Sequence, residues 1–275
     1  MIAAAYGLAG LPIIATVIIG LGNAAFHIGG GIDVLNVSSE KLKALGIFVS
    51  PGAFGVYFGT IFGRGEQELT LPVVTALTIA AIIIFTARRI WAQLYLDNEP
   101  FDPKPVDPTP TGKDNKNSKI LIAITCFFLV VTLRSYLGLS IDFTWKGIGY
   151  WGLALVCASA FGKAAGGFLA DRFGLKKTTT ITLGIATVLF ILPQIPLAGV
   201  TAIFLFNMTM PITLWAMAKV FPKAKGFSFG LLTFALFAGF LPVYLNVLTL
   251  PVWMYAPIAL LSLSILYLGL RKAHG

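Results

Sequence analysis

Long apolar runs separated by short polar segments dominate the chain. Most runs are about 20 residues long, the length an α-helix needs to cross about 30 Å of hydrocarbon. A transmembrane β-barrel would instead show short alternating segments, and the sequence has none. The pattern therefore predicts an all-α polytopic membrane protein. We expect nine membrane-spanning helices, at residues 4–32, 43–63, 70–91, 119–140, 147–170, 178–198, 199–219, 226–247 and 250–270.

One polar stretch interrupts this pattern. Residues 97–119 are rich in Pro, Asp and Lys and contain few apolar side chains. Proline fixes an extended backbone, and a segment of this composition cannot bury enough apolar surface to fold. We therefore predict a polar linker at residues 95–118. It separates three spans in residues 1–94 from six spans in residues 119–275.

Composition agrees with a chain that lies in lipid. The sequence is 57% hydrophobic and 11% charged, whereas soluble domains average about 25% charged residues. The net charge of +9 does not indicate a nucleic acid partner, because the basic residues are scattered between the spans. If the segment around Asp171 is cytoplasmic, most of the 20 Lys and Arg residues fall on that side, as the positive-inside rule requires. The linker and the C-terminus are then predicted to be cytoplasmic.

The most specific motif lies between the fifth and sixth predicted spans. Residues 162–177 read GKAAGGFLADRFGLKK, and an Asp at the edge of a membrane is costly unless it is paired. The segment resembles the signature loop of major facilitator superfamily transporters. In that family the Asp is held by the positive end of a neighbouring helix and by basic residues, and the contact locks one conformation. The resemblance implies a gating loop of Gly167, Asp171, Arg172, Gly174 and Lys176; a generic basic turn is the alternative.

The position of this loop implies an incomplete transporter. In the family it joins the second and third helices of each six-helix half, so the chain would hold a complete C-terminal bundle of six helices. The three spans before the linker would correspond to helices 4–6. A weak internal repeat agrees, since an offset of 184 residues pairs Asn23 with Asn207 and Gly46 with Gly230. A truncated gene model or a second chain that supplies the missing helices would explain the difference.

Polar residues inside the spans mark a candidate translocation pathway, because they are costly in lipid and usually face a cavity. Residues 22–27, GNAAFH, resemble the fourth helix of fosmidomycin-resistance-type exporters. His27 can change its charge near neutral pH, which suits proton coupling; a His bonded to a nearby carbonyl is the alternative. Asn207 and Pro211 predict a substrate site or a hinge, since Pro bends a helix and frees a carbonyl. Simple packing around a kink is the alternative for that pair.

Two basic residues lie within predicted spans. Arg134 and Lys163 predict an anion-facing cavity or an interhelical ion pair, and snorkelling of the long side chains to the membrane surface is the alternative. Asp142, near the outer edge, is a candidate acidic partner. The predicted substrate and translocation pathway therefore consists of Asn23, His27, Arg134, Lys163, Asn207 and Pro211.

A row of glycines at Gly46, Gly55, Gly59 and Gly63 partly resembles the antiporter motif of the same family. The match is incomplete, because Thr60 stands where the motif has Pro. Glycines four residues apart also let helices pack closely. Antiport and plain helix packing both remain open for this row.

We expect a secondary active transporter that moves a small anionic or amphiphilic molecule by alternating access, coupled to protons or another ion, in the plasma membrane of a prokaryote. Efflux by antiport is what the exporter resemblance implies. The alternative is a non-transporting membrane scaffold or assembly factor built on a degenerate or truncated transporter fold. We expect no enzymatic activity, cofactor or metal site, because the sequence has no nucleotide-binding loop, no Cys/His metal spacing and no paired carboxylates.

Overall fold

Helices account for most of the chain in the computed structural model, which describes residues 6–8, 10–37, 41–64, 70–96 and 113–273. Two short 3-10 turns, Tyr6–Leu8 and Val252–Met254, accompany the α-helices of these ranges. The α-helices are α1 (Pro12–Val37), α2 (Lys43–Val49), α3 (Gly52–Arg64), α4 (Thr70–Leu96), α5 (Lys113–Ser140), α6 (Trp151–Phe173), α7 (Leu175–Leu189), α8 (Pro196–Asn207), α9 (Thr209–Val220), α10 (Lys225–Tyr244) and α11 (Tyr255–Ala273).

All nine predicted spans contain helix, and within the described ranges several helical segments have the length and composition to cross a membrane. Seven such segments occur in the described ranges, at Ile13–Asn36, Lys43–Gly63, Ser118–Ser140, Trp151–Phe173, Pro196–Val220, Lys225–Tyr244 and Val252–Ala273. The predicted span at 70–91 lies within α4, whose described apolar part is Leu71–Ala87. The predicted span at 178–198 holds α7, which ends at Leu189 just before Pro193. The protein is thus an all-helical membrane protein.

Proline residues explain why two of the long segments are broken. Pro51 lies between α2 and α3 and has no N–H to donate. Pro211 lies at the start of α9, so the carbonyl of Asn207 loses its usual donor four residues later. Met208 forms the break and donates its N–H to the carbonyl of Leu205 at 3.2 Å. The spans predicted at 43–63 and 199–219 are therefore two helices each.

The predicted linker at 95–118 is only partly described. Helix α4 extends to Leu96, and α5 begins at Lys113, six residues before the predicted start of its span. The residues between 96 and 113 lie outside the described ranges. The division into a partial bundle, a linker and a six-helix bundle stays a prediction.

Contacts group the chain into two compact units. The first comprises the described parts of residues 1–26 and 61–113, which include all of α4. Within α4, four consecutive large apolar side chains, Ile82 to Phe85, are all exposed. A helix that is apolar on every side in this way is typical of a lipid-facing element.

The second unit, residues 27–60 with 114–275, holds most of the buried core. Helix α6 lies at its centre and packs against α2, α7, α8 and α9, while α7 packs against α11. Glycines allow these close crossings. A β-carbon on Gly162 or Gly166 of α6 would collide with the backbone of Phe204 or Met208. Both crossings therefore require glycine.

Tyr255, at the start of α11, joins several elements of this unit. Its ring is fully buried and contacts Phe143 and Phe190 edge-on, with ring centroids 5.8 and 6.1 Å away. Its hydroxyl accepts the N–H of Asp142 at 2.9 Å and donates to the carbonyl of Ser140 at 3.3 Å. The hydroxyl therefore ties the loop after α5 to α11.

Replacing Tyr255 by Phe tests this connection. The substitution keeps the ring but leaves two backbone groups without a partner, which typically destabilises a protein by about 1–2 kcal/mol. We expect the unfolding midpoint in detergent to fall by roughly 2–8 °C, since 1 kcal/mol corresponds to about 2–4 °C in a chain of this size. Tyr267→Phe is the control, because that side chain is exposed. Equal midpoints for the two variants would contradict the role given to the Tyr255 hydroxyl.

Candidate functional site

The carboxylate of Asp171, near the end of α6, binds the beginning of α2. Its Oδ1 accepts the backbone N–H of Leu42 at 2.7 Å, and its Oδ2 accepts the N–H of Lys43 at 3.0 Å. These N–H groups have no acceptor within their own helix, and the start of a helix carries a partial positive charge that favours a carboxylate. We call this pair of hydrogen bonds the clasp. It places Asp171 against the positive end of a neighbouring helix, as the resemblance implies.

Two glycines bring the helix backbones together beside the clasp. A β-carbon on Gly167 would lie 2.6 Å from the carbonyl oxygen of Leu42, and one on Gly46 would lie 2.8 Å from that of Lys163. Both distances are shorter than real β-carbon contacts, and in each case the obstacle is backbone, which cannot rotate away. Gly46 and Gly167 are thus what allows α2 to approach α6 closely enough for the clasp.

The other residues of the predicted gating loop have different surroundings. Gly174 forms the turn between α6 and α7 with a φ of +85°, a conformation that favours glycine. The guanidinium of Arg172 lies over the ring of Phe173, 5.5 Å from its centroid. Lys176 is exposed. Among the described contacts of Arg172 and Lys176 there is no hydrogen bond to Asp171, so the helix start alone supplies its partners.

A second contact joins α1 to α10 at the same end of the unit. The Nζ of Lys225 donates to Oδ1 of Asn36 at 2.8 Å. A β-carbon on Gly226 would lie 2.9 Å from Cδ1 of Ile32, and one on Gly31 would overlap the ring of Phe229. The two helices α1 and α2, which precede the predicted linker, therefore contact α10 and α6 through charged or polar groups flanked by glycine.

The predicted pathway residues of α1 have unlike environments. His27 is half-buried between aromatic rings, stacked on Phe229 at 6.3 Å and edge-on to Phe48 at 6.4 Å between centroids. Asn23 is exposed and belongs to the first compact unit, whereas His27 belongs to the second. His27 therefore packs against α2 and α10 within the second unit, and proton coupling through it stays a prediction.

Arg134 of α5 is buried in the second unit, with 5% of its surface exposed. Its Nη2 donates to the hydroxyl of Thr209 at 2.8 Å and to that of Thr213 at 3.2 Å. Its Nε and Nη1 are buried and have no hydrogen-bond partner in the described chain. Snorkelling does not explain a guanidinium that is this deeply buried.

Lys163 of α6 is partly exposed and lies one turn before Gly166, which packs against Met208 next to Thr209. Asp142, the acid predicted as a partner, is exposed, and its N–H bonds Tyr255. Within the described ranges no carboxylate bonds Arg134 or Lys163, so the predicted ion pair is not formed there. The result is two neighbouring positive charges inside apolar helices.

The other two predicted pathway residues lie at the break between α8 and α9. The amide of Asn207 donates to the carbonyl of Ile203 at 2.9 Å, within its own helix. Pro211 is buried. In the sequence it lies between Thr209 and Thr213. Sequence reasoning did not identify these threonines as the acceptors of Arg134, although their spacing of four residues at a proline break places both on one helix face.

The glycine row is divided by the break at Pro51. Gly46 packs against α6, whereas a β-carbon on Gly55, Gly59 or Gly63 would meet nothing within 4 Å. Close packing within the described chain thus accounts for Gly46 alone. The resemblance of this row to an antiporter motif stays a prediction.

Compared with known proteins, the chain matches no family model, no curated protein and no solved structure. The function must therefore be inferred from the clasp and from the basic residues within the spans.

Proposed function

We propose that the chain is a secondary active transporter of the major facilitator type, which moves a small molecule by alternating access. In this proposal the clasp holds a state in which α2 lies against α6, and its release lets the two helices separate. Coupling to protons or another ion drives the cycle. The two hydrogen bonds from the start of α2 to Asp171 carry the proposal.

The clasp has the properties of a reversible contact. Hydrogen bonds to an ionised acceptor are stronger than neutral ones, so the closed contact is favoured while α2 and α6 touch. Asp171 nevertheless remains exposed, and water can replace both N–H donors when the helices part. A switch between two discrete arrangements of packed helices requires bonds of this kind.

Charged residues in the spans favour transport over a purely structural role. A buried guanidinium without an acidic partner destabilises a membrane protein, and such residues usually serve a substrate or ion pathway. Arg134 meets this description, with two of its three nitrogens unpartnered. A scaffold gains nothing from that arrangement.

The scaffold alternative rests on a different observation. Only 6% of the first candidate span and 11% of the second are buried within the chain, against 61% of the span at Pro196–Val220. The first two spans therefore present large apolar surfaces that lipid or another polypeptide could cover. In a scaffold, the clasp would be a permanent contact.

Uptake into proteoliposomes tests the proposal. The full chain is reconstituted with an imposed pH gradient and supplied with radiolabelled benzoate, lactate, phosphate, glycerol and choline in turn. For any compound that is transported, Asp171→Asn should reduce uptake by about tenfold or more, because the loss of one charged hydrogen-bond acceptor corresponds to about 1.5–3 kcal/mol. Asp33→Asn is the matched control, since Asp33 is an exposed carboxylate of α1.

The outcomes separate the two functions. Uptake above that of protein-free vesicles, lost with Asp171→Asn and kept with Asp33→Asn, supports transport through the clasp. Uptake that is equally fast with Asp171→Asn would show that the clasp is not part of the cycle. A chain that transports none of the five compounds and copurifies with a stoichiometric membrane partner would favour the scaffold.

A further inference from the structure

The three buried N–H groups that Arg134 leaves unpartnered point toward a ligand. A guanidinium has five N–H donors and no acceptor, and it keeps its charge in proteins. The two donors on Nη2 are directed at Thr209 and Thr213, and those on Nε and Nη1 have no partner in the described chain. Buried donors on a charged group are among the most costly groups to leave unsatisfied.

Both threonine hydroxyls are fixed as acceptors for the guanidinium. Thr209 donates its own proton to the carbonyl of Phe206 at 3.0 Å, and Thr213 donates to the carbonyl of Thr209 at 2.8 Å. Each oxygen therefore has only lone pairs to offer Arg134. The guanidinium is held by one edge at the α8–α9 break, and its remaining donors are oriented before any ligand arrives.

The positive charge around Arg134 favours an anionic ligand. Lys163 adds a second positive charge on α6, one turn before Gly166, which packs against Met208 next to Thr209. No carboxylate in the described ranges bonds Arg134 or Lys163. Two like charges in an apolar region repel each other, and only an anion relieves both the repulsion and the unpartnered donors. A neutral molecule would supply acceptors without charge, and a cation would increase the repulsion.

We propose that Arg134 and Lys163 form a binding site for an oxyanion. This oxyanion is a carboxylate or a phosphate-type group of the transported molecule. The Nε and Nη1 of Arg134 donate to its oxygens, Lys163 supplies a second charge, and Thr209 and Thr213 position the guanidinium. This inference rests on the proposed transport function and names its substrate class.

Ligand-dependent thermal stability tests the site without any transport measurement. The purified full chain in detergent is titrated with sodium benzoate and, separately, inorganic phosphate, against sodium chloride at equal ionic strength. We expect at least one oxyanion to raise the unfolding midpoint with a saturating dependence on concentration. Arg134→Gln should weaken that binding by about tenfold or more, and Lys163→Gln by about threefold or more, because charge-assisted bonds are lost. Lys223→Gln, at an exposed lysine, should leave the affinity unchanged.

A second variant guards against simple misfolding. Arg134→Met removes a buried charge that lacks an acidic partner, and replacing buried charges by apolar side chains is often neutral or stabilising. We expect this variant to unfold at or above the midpoint of the parent chain and to show no stabilisation by either oxyanion. A parent chain that neither oxyanion stabilises more than chloride does, or equal affinity in Arg134→Gln, would overturn the site.

Failure of this inference can be distinguished from failure of the proposed function. If the chain binds an oxyanion through Arg134 but transports nothing, the site is supported and the transport function is refuted. If the chain transports glycerol or choline but binds no oxyanion, the transport function is supported and the oxyanion site is refuted.

Discussion

Gly166→Ala is expected to destabilise the second unit more than alanine at any other described glycine. The added β-carbon would overlap the carbonyl of Met208 at the break between α8 and α9. Because the obstacle is backbone, the helices must move apart. Overpacking of this kind costs about 1–3 kcal/mol and occasionally more, which corresponds to a fall of roughly 2–12 °C in the unfolding midpoint.

The matched control is Gly184→Ala on α7. A β-carbon there would meet nothing within 4 Å, and alanine favours a helix interior over glycine by up to about 1 kcal/mol. We expect its midpoint to equal or exceed that of the parent chain. Thiol-reactive fluorescence suits the measurement, because the buried Cys126 becomes reactive when the chain unfolds. Similar midpoints for the two variants would show that α6 does not cross α8–α9 as described.

Alanine at Gly46 is expected to disrupt the clasp while leaving the rest of the fold intact. Its β-carbon would lie 2.8 Å from the carbonyl of Lys163, 3.0 Å from that of Ala164 and 3.3 Å from the Cα of Gly167. All three neighbours are backbone atoms, so α2 must withdraw from α6. Because the clasp bonds are short, a shift of about 1 Å takes them beyond hydrogen-bonding distance. We expect uptake to fall by about tenfold or more, as for Asp171→Asn.

Gly59→Ala is the control for this prediction, since Gly59 belongs to the same glycine row and has open space around it. Uptake should be unchanged in that variant. Equal losses at the two positions would indicate that the row acts as a whole, as an antiporter motif would. If both variants take up substrate as fast as the parent chain, transport does not depend on close contact between α2 and α6.

Some features of the fold could be predicted because they depend on local sequence. Apolar run length located every helix, and the polar stretch after residue 96 marked the interval between α4 and α5. One difference had a local cause as well. Pro193 follows the end of α7, whose helix is 15 residues long and shorter than the span predicted at 178–198. The position of proline within or after an apolar run thus determines where a helix ends more than the length of the run does.

The candidate site could be predicted less well because its contacts join distant parts of the chain. The motif drew attention to Asp171, and the resemblance implied a helix start as its partner, but Leu42 lies 129 residues away. Arg134 was recognised from its depth in a span. Its acceptors, Thr209 and Thr213, could not be identified without knowing which helix faces α5. The basic partners that the resemblance implies for Asp171 are not among its hydrogen bonds in the described residues, where Leu42 and Lys43 donate through their backbone N–H groups.

The most direct test of the account is the distance across the clasp side, measured by double electron–electron resonance in lipid nanodiscs. Spin labels are placed at Lys41 and Lys223, which are both exposed, in a chain with Cys126 and Cys157 replaced by alanine. We expect two distance populations, with the longer one increased in Asp171→Asn and unchanged in Asp33→Asn. A single distance that is identical in all three chains would mean that the contact never opens, and would contradict alternating access through Asp171.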